Sequence, residues 1–457
     1  MRTHEIRMTE GPIASNMIRF AIPLFLGNLF QQLYNTADTF IVGKLIGNDA
    51  LAAVSSTGSL VFLLVGFFGG IAAGGGIVIS QRFGAKNYEE MSRAIHTNLA
   101  LSLTAAVILT FFGTLFTPQI LIWMDTPADV LPRSIEYIRV YFAGCTGMVM
   151  YNCCMGIMQA VGDSRHPLYY LIISSCINIA LDIVFIALFK MDVGGAALAT
   201  IISQLLSVFL CLRRLVKTDA EYKVSFKKIR IYPDMAKLII RYGLPSGLSN
   251  SMIALANVMV QSNINAFGKM AMAGNGAYAK LEGFAFLPVN CFTSAITTFV
   301  GQNLGAGEIE RAKKGARFGV ACSMAIAEII GVILFVGSPF LIGLFTEEAE
   351  SVAYGVMKSN ACSLFFFMLA ATHCLSAVMR GAGKATVPMA TMLICWCAVR
   401  VISLSVLVPI TQSIHIVNWI FPITWSLSTV VLLIYYLKVD WIGDFAKNKA
   451  SAKVSEP

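Results

Sequence analysis

Twelve apolar runs, each near or above the roughly 20 residues that cross a bilayer as a helix, occupy most of this 457-residue sequence. They fall at about 13–42, 51–79, 94–116, 135–161, 167–189, 193–215, 236–267, 271–300, 316–337, 352–379, 388–410 and 417–437. Charged residues make up 13% of the chain and hydrophobic ones 57%. A soluble domain carries about 25% charged residues, so water is not the main solvent. Lipid leaves the backbone no partner but itself, and runs of this length satisfy it as helices. The sequence therefore predicts an all-α polytopic membrane protein with twelve transmembrane helices. No cleavable signal peptide is expected, because the run after Arg19 is too long, holds Pro23 and Asp38, and lacks a small-residue cleavage pattern. The eleven cysteines are scattered through apolar segments. Cys153-Cys154 and Cys395/Cys397 sit close together, but no His or second pair completes a metal site, so they read as small core residues.

Basic residues orient the spans. One side carries Arg2, Arg7, Arg19, Arg82, Lys86, Arg93 and Arg165, then the central run from Arg213 to Arg241. Arg311, Lys313, Lys314, Arg317, Arg380, Lys384 and the tail lysines follow on that side. The other side holds only Lys44, Arg133, Lys190, Lys269 and Lys358. Both termini and the 213–241 loop are expected in the cytoplasm. The formal charge of +9 is then topological, and no nucleic-acid partner is expected.

The two halves repeat at an offset of 221 or 222 residues. Ile18-Arg19-Phe20-Ala21-Ile22-Pro23 matches Ile240-Arg241-Tyr242-Gly243-Leu244-Pro245, and Gln81-Arg82-Phe83-Gly84-Ala85 matches Gln302-Asn303-Leu304-Gly305-Ala306. Asn28 matches Asn250, Asn35 matches Asn257, Gly162 matches Gly383 and Pro167 matches Pro388. Six spans per copy, an even number, keep both copies in the same orientation. The expected architecture is two six-helix lobes related by a pseudo-two-fold axis along the membrane normal, with a cleft between them, which is a plan of alternating-access transporters. The lobes are expected at 1–218 and 236–457, joined by a basic cytoplasmic linker at 219–235.

A charge at mid-membrane costs a few kcal/mol, so each is a functional hypothesis. Asp38 lies deep in helix 1, with Tyr34 and Asn35 on its face. Asp182 lies midway along helix 5, with Asn178 one turn earlier. Neither has a basic residue within one turn. At the same offsets the second copy has Val260, Val399 and Ser403 in place of Asp38, Asn178 and Asp182. A scaffold requirement should appear in both copies, so the carboxyls read as chemistry confined to the first. Two carboxyls in a low-dielectric pocket cannot both stay charged unaided. One takes a proton, or a small hard cation such as Na⁺ sits between them. Glu282 in helix 8 has two readings: a structural ion pair with Arg400, or a contact to a cationic substrate. Glu328 reads as structural, and Glu136 with Arg139 as a rim pair in helix 4. Pro23 and Pro245 each remove a helical hydrogen bond and kink helices 1 and 7. Gly69-Gly70 and Gly74-Gly75-Gly76 allow close packing in helix 2. No Walker motif, HExxH or nucleophile elbow is present. No cofactor or enzymatic activity is expected, and ion-driven transport follows by elimination.

Over residues 13–440 the chain resembles the multidrug and toxic compound extrusion (MATE) transporters, in particular their prokaryotic branch with an acidic first-lobe site. The likeness rests on the doubled six-helix plan, the Gln-x-x-Gly-Ala turns, Pro23, the Tyr34–Asp38 step, Gly162-Asp163-Ser164 and Gly381-Ala382-Gly383-Lys384. The resemblance implies that Asp38, Asn178, Asp182 and Thr200 couple the ion. It implies that Gln31, Tyr34, Tyr137 and Asn152 line a substrate cavity, and that ion binding at Asp38 is linked to bending at Pro23. It further implies an antiporter of the inner, cytoplasmic membrane, acting as a monomer, that expels small amphiphilic and often cationic compounds in exchange for Na⁺ or H⁺. A departure is that helix 7 holds no acid and helix 10 offers His373, so no second-lobe ion site is expected. The alternative cargo is a lipid-linked intermediate, moved by a flippase of the same general plan.

Overall fold

The computed structural model describes residues 6–46, 48–123 and 131–443, and their side chains except at 39–40, 42–45 and 48–65. The charges of Arg2, Lys44, Lys447, Lys449 and Lys453, which entered the orientation reading, lie outside what is described.

Twelve helical spans follow one another. Helices 1 to 3 are Ile13–Leu45, Asn48–Gly84 and Tyr88–Trp123. Helix 4 comes in two pieces, Leu131–Ala143 and Cys145–Ala160, bent by 47° at Gly144. Helix 5 runs Arg165–Asp182 and continues as a π-turn, Ile183–Leu188; helix 6 is Val193–Lys217. Helices 7 to 9 are Pro233–Asn265, Lys269–Gly305 and Ile309–Gly343. Helix 10 comprises Ala349–Cys362 and Phe366–Gly381 around a 3₁₀ turn, Ser363–Phe365. Helix 11 is Thr386–Met392, a π-turn Leu393–Val399, and Arg400–Thr411; helix 12 is Ile414–Lys438.

Each span overlaps one of the twelve apolar runs. On their described residues, nine are long and apolar enough to cross a membrane, ten with the bent helix 4. Helix 2 is described at side-chain level only from Gly66. Helix 7 is diluted by Ser246, Ser249, Asn250, Ser251, Asn257 and Gln261. Helices 2 and 8, at 37 residues each, are about 55 Å long at 1.5 Å per residue. That exceeds the hydrocarbon layer, so they tilt or reach beyond it.

The repeat is visible in the backbone itself. Residues with positive φ occur in pairs at the repeat offset: Lys86 with Gly307, Gly162 with Gly383, and Lys190 with Gln412. Lysine and glutamine adopt the left-handed region only at a cost, so the turn geometry has been kept where the side chain has not. The breaks repeat too: Gly144 in helix 4 and Phe365 in helix 10 occupy equivalent positions.

The described chain divides into two compact units. One is Ile6 with Pro23–Gly247; the other is Arg7–Ile22 with the residues from Leu248 onward. The chain changes unit within helix 1 at Pro23, and within helix 7 two residues after Pro245. In the first unit Met91, Ile95, Leu99, Cys153, Cys154 and Ile157 form the centre of a buried cluster. Tyr222 and Val224, which follow helix 6, are each 1% exposed and complete that cluster. The backbone N–H groups of Ser225 and Tyr232 donate to His96 Nε2 at 3.0 Å and Thr97 Oγ1 at 3.2 Å.

Two expectations about charges need correction. Lys358, counted with the charges of the less basic side, is 5% exposed within helix 10. Glu136 and Arg139 form no ion pair among the described residues; Arg133 pairs instead with Asp192 at 2.9 Å, and both are partly exposed. Glu328 is structural as expected: its Oε2 accepts from Phe367 N at 3.2 Å, where helix 10 resumes after its break.

Gly70 and Gly74 of helix 2 meet Gly247 and Gly243 of helix 7 backbone to backbone, so that a Cβ at Gly70 or Gly74 would fall on the facing main chain. Gly69, next in sequence, has nothing within 4 Å of its Cβ direction. We expect Gly74→Leu to lose about 1–3 kcal/mol or to fail to fold, and Gly69→Ala to be tolerated. Thermal unfolding of the purified variants checks this, and equal melting points for both would show the crossing to be loose.

Candidate functional site

Helix 5 supplies the centre of the site. Asp182 is its last α-helical residue before the π-turn, and Asn178 sits one turn earlier on the same face. They are 0% and 1% exposed. Neither carboxyl oxygen of Asp182 and neither amide atom of Asn178 has a hydrogen-bond partner among the described residues. Asp38 arrives from helix 1 with a buried, unpartnered Oδ1, and its carboxyl faces that of Asp182 closely enough for one proton to bridge them. No Lys or Arg lies near enough to be felt by either group among the described residues. A buried polar atom without a partner costs about 1–3 kcal/mol; the carboxyl oxygens and Asn178 Oδ1 are acceptors that a cation or a proton can complete, and Asn178 Nδ2 is a donor.

Aromatic residues wall the carboxyls. Tyr34, one turn before Asp38, feels both acids and has the Gln204 amide beside its hydroxyl. Tyr137 of helix 4 feels Asp38, Tyr34 and Asp182 and stacks on Tyr141 at 6.2 Å. The Tyr141 hydroxyl donates to Met148 Sδ at 2.8 Å, across the break in helix 4. Beyond the carboxyls, Ile186, Val193 and Ala196 form an apolar floor against Ile41 and Tyr137.

The structure thus brings together Asp38, Asn178, Asp182, Tyr34 and Tyr137. Three other expected residues are in the same unit but less committed. Thr200 donates its hydroxyl to Ala196 O at 3.1 Å, and Asn152 Nδ2 donates to Met148 O at 2.9 Å. Gln31 is half-buried two turns before Asp38 and makes no hydrogen bond to the acids. Tyr141 and Gln204 were not anticipated. Each lies four residues after an anticipated one, Tyr137 and Thr200, and the rule that pairs Asn178 with Asp182 would have found them. Among the described residues no group of three or more His, Cys, Asp or Glu could hold a metal.

A family description, MatE, matches residues 23–184 and again 245–405, the two halves of the repeat. This chain belongs to the MatE family. Its members are secondary transporters rather than enzymes. The chain is 30% identical to the probable multidrug resistance protein YoeA of Bacillus subtilis (strain 168), over 94% of its own length and 95% of that protein's. It is 25% identical to the probable multidrug resistance protein NorM of Thermotoga maritima, over 82% of each. Among solved structures, its fold matches a MATE crystal structure in complex with MaL6 at a TM-score of 0.90 and 23% identity, covering 97% of this chain and all of that one. It also matches a superfamily transporter from Pyrococcus furiosus at 0.91 and 22%, covering 97% and 99%. These likenesses establish the twelve-helix fold and the transporter class; the roles of individual residues rest on the geometry above.

Within this MatE chain the second unit has no copy of the acidic site. Val260, the counterpart of Asp38, is 3% exposed in an apolar cluster with Ile264, Leu404 and Val408. His373 packs its ring against Phe286 at 4.8 Å and Trp396 at 5.4 Å. Glu282 lies near Lys358 and Arg400 without a contact ion pair to either among the described residues, and belongs to the second unit, apart from the carboxyl pair. We expect Val260→Asp to destabilise the protein by about 3 kcal/mol and, combined with Asp38→Asn, to restore no ion-driven efflux. Recovery of efflux in that double variant would show that the first unit's neighbours are dispensable.

Proposed function

We propose that Asp38, Asn178 and Asp182 form the coupling site of a cation-driven exporter of small amphiphilic, often cationic drugs, working by alternating access. The observation that carries this is the facing pair of buried carboxyls with no basic partner among the described residues. Na⁺ suits their oxygens together with the Asn178 amide, and H⁺ suits the shared position between two carboxyls. Thr200 stands one turn from Gln204 at the edge of this group and would complete an oxygen shell. Tyr34, Tyr137, Gln31 and Asn152 would receive the drug: a phenol offers an apolar face and a hydroxyl, and attracts a cation by about 0.5–2 kcal/mol. Pro23, where the chain changes unit, lacks the donor that would brace helix 1 and is the natural place for it to bend. Pro245 does the same in helix 7. A lipid-linked cargo finds no support in the relatives or in this acidic pocket.

The excess of Lys and Arg on one side of the spans supports a cytoplasmic-membrane location with both termini in the cytoplasm. The whole carboxyl site lies within one unit of one chain, which supports function as a monomer.

Exchange requires that ion and drug exclude each other. Drug affinity should fall as pH drops or as Na⁺ rises, because each fills the site the drug needs empty and charged. Asp38→Asn should flatten that dependence. One charge crossing 100 mV supplies about 2.3 kcal/mol, which sustains a gradient of about fiftyfold for a neutral drug. A monocationic drug exchanged for one cation gains nothing from the voltage and must use the ion's concentration gradient or a second ion. Ethidium efflux from proteoliposomes, with Na⁺ and H⁺ gradients imposed separately, identifies the ion. We expect Asp182→Asn to abolish coupled efflux at normal expression; wild-type rates in that variant would refute the assignment.

Tyr34→Ala and Tyr137→Ala should weaken binding of cationic dyes about threefold to thirtyfold while sparing neutral ones. Titration of paired cationic and neutral dyes checks it, and a uniform loss would assign the phenols to folding instead.

A further inference from the structure

Helices 10, 11 and 12 repeat helices 4, 5 and 6, and the 221-residue offset maps the first unit's site onto a second set of side chains. Lys358 stands in the place of Tyr137, Phe421 in that of Thr200 and Trp425 in that of Gln204. Arg400 follows the counterpart of Asn178 by one residue. The scaffold is the same and the sign of charge is reversed.

This second cluster is deeply buried. Lys358 and Arg400 are 5% and 1% exposed. Their charged ends lie 4.2 and 4.5 Å from the centre of the same ring, Phe421. Arg400 also lies over Trp396 at 5.2 Å, and one of its terminal nitrogens donates to Thr424 Oγ1 at 2.8 Å. Its Nε is buried with no partner among the described residues. Asn418, 0% exposed on helix 12, has neither side-chain amide atom partnered among the described residues. The Cys362 thiol donates to the Asn418 carbonyl at 3.5 Å, which places Asn418 beside the turn of helix 10 that carries Lys358.

The charges do not balance. Glu282 is the one carboxylate among the described residues that either cation feels, and it makes a contact pair with neither. Two cations and one acid leave a surplus of one positive charge within the spanning helices. An uncompensated buried charge is costly, and among the described residues the unpartnered buried atoms here are two donors, Arg400 Nε and Asn418 Nδ2, and one acceptor, Asn418 Oδ1; the Lys358 ammonium has only the Phe421 ring. Arg400 also begins just after the π-turn of helix 11, as Asp182 immediately precedes that of helix 5, and such turns recur at functional sites.

The geometry points to a binding site for one monovalent anion, a halide or an organic carboxylate, held by Lys358, Arg400 and Asn418 in the second unit. A single negative charge matches the surplus, whereas a phosphate dianion would overshoot it. The aromatic faces of Phe421 and Trp396 stabilise the cations without neutralising them, which leaves their hydrogen-bond donors for the ligand.

The test is equilibrium binding to the full chain in detergent, so it stands apart from the transport reading. Radiolabelled chloride in sulfate buffer is one arm, and calorimetric titration with benzoate is the other. We expect one anion per chain. Saturation by chloride assigns the site to a free inorganic ion. Benzoate binding at least tenfold tighter than chloride assigns it to a carboxylate on an organic ligand. Lys358→Gln should weaken binding at least tenfold and Lys358→Arg less than threefold. Should Lys358→Gln fail to fold, Asn418→Leu provides the second measurement, with an expected loss of at least threefold. Absence of both anions from the wild type, or binding by Lys358→Gln or Asn418→Leu equal to wild type, overturns the proposal; the first result would mean that Lys358 is held uncharged.

Discussion

Two carboxyls that face each other in a membrane interior, with no lysine or arginine among the described residues beside them, set the terms for the rest of this molecule. In water such a pair would be unremarkable. Between helices 1 and 5 it is a standing electrostatic deficit, relieved by a proton or a metal ion and restored when either leaves. Everything packed around Asp38 and Asp182 sharpens that deficit. The Ile186–Ala196 floor keeps water from screening it, and the phenols of Tyr34, Tyr137 and Tyr141 put polarisable surface beside it. The amide of Asn178 has no competing partner to draw it away. An exporter needs a site whose occupancy by one ligand opposes occupancy by another, and a buried charge with only exchangeable counter-ions meets that need.

Duplication explains how a scaffold can carry such a costly feature. The left-handed turns at Lys86, Gly162 and Lys190 recur at Gly307, Gly383 and Gln412, so the path of the chain is common property. Charge is not. Where the first unit places a tyrosine the second places Lys358, and where the first places Asp38 the second places Val260 inside an apolar cluster. Each unit has its own buried cluster, and the residues inside the second are free to differ from those inside the first as long as the turns persist.

Much of this was legible in the sequence. The spans were, because lipid enforces one solution on any apolar run of sufficient length. So were Asp38, Asn178 and Asp182, because an acid in such a run is conspicuous. What escaped notice has a common cause. Lys358 falls inside the apolar run 352–379 yet counts there with the charges of one membrane side, because a lysine six residues into a span passes for an end charge; the helix begins earlier, at Ala349, and buries it. The breaks at Gly144 and at Ser363–Phe365 leave hydropathy unchanged, as do the π-turns, so no periodicity of apolar residues records them. Gln204 and Tyr141 are ordinary residues made important by neighbours on other helices, which a single strand of text does not display.

The π-turn after Asp182 carries a consequence of its own. A π-turn takes in one residue more than an α-helical turn, and here it closes helix 5, so that residue sets the direction, by about 100°, in which the chain leaves at Phe189. Removing a single residue from Ile183–Leu188 would restore a continuous α-helix of nearly the same span. It would also turn the point at which the short link to Val193 leaves the helix. Insertions and deletions are usually the crudest of sequence changes in a membrane helix. Here one codon would act as a steering adjustment on the link that carries Asp192, the residue that caps helix 6 and pairs with Arg133, while Asp182 keeps its place on the α-helical part of helix 5.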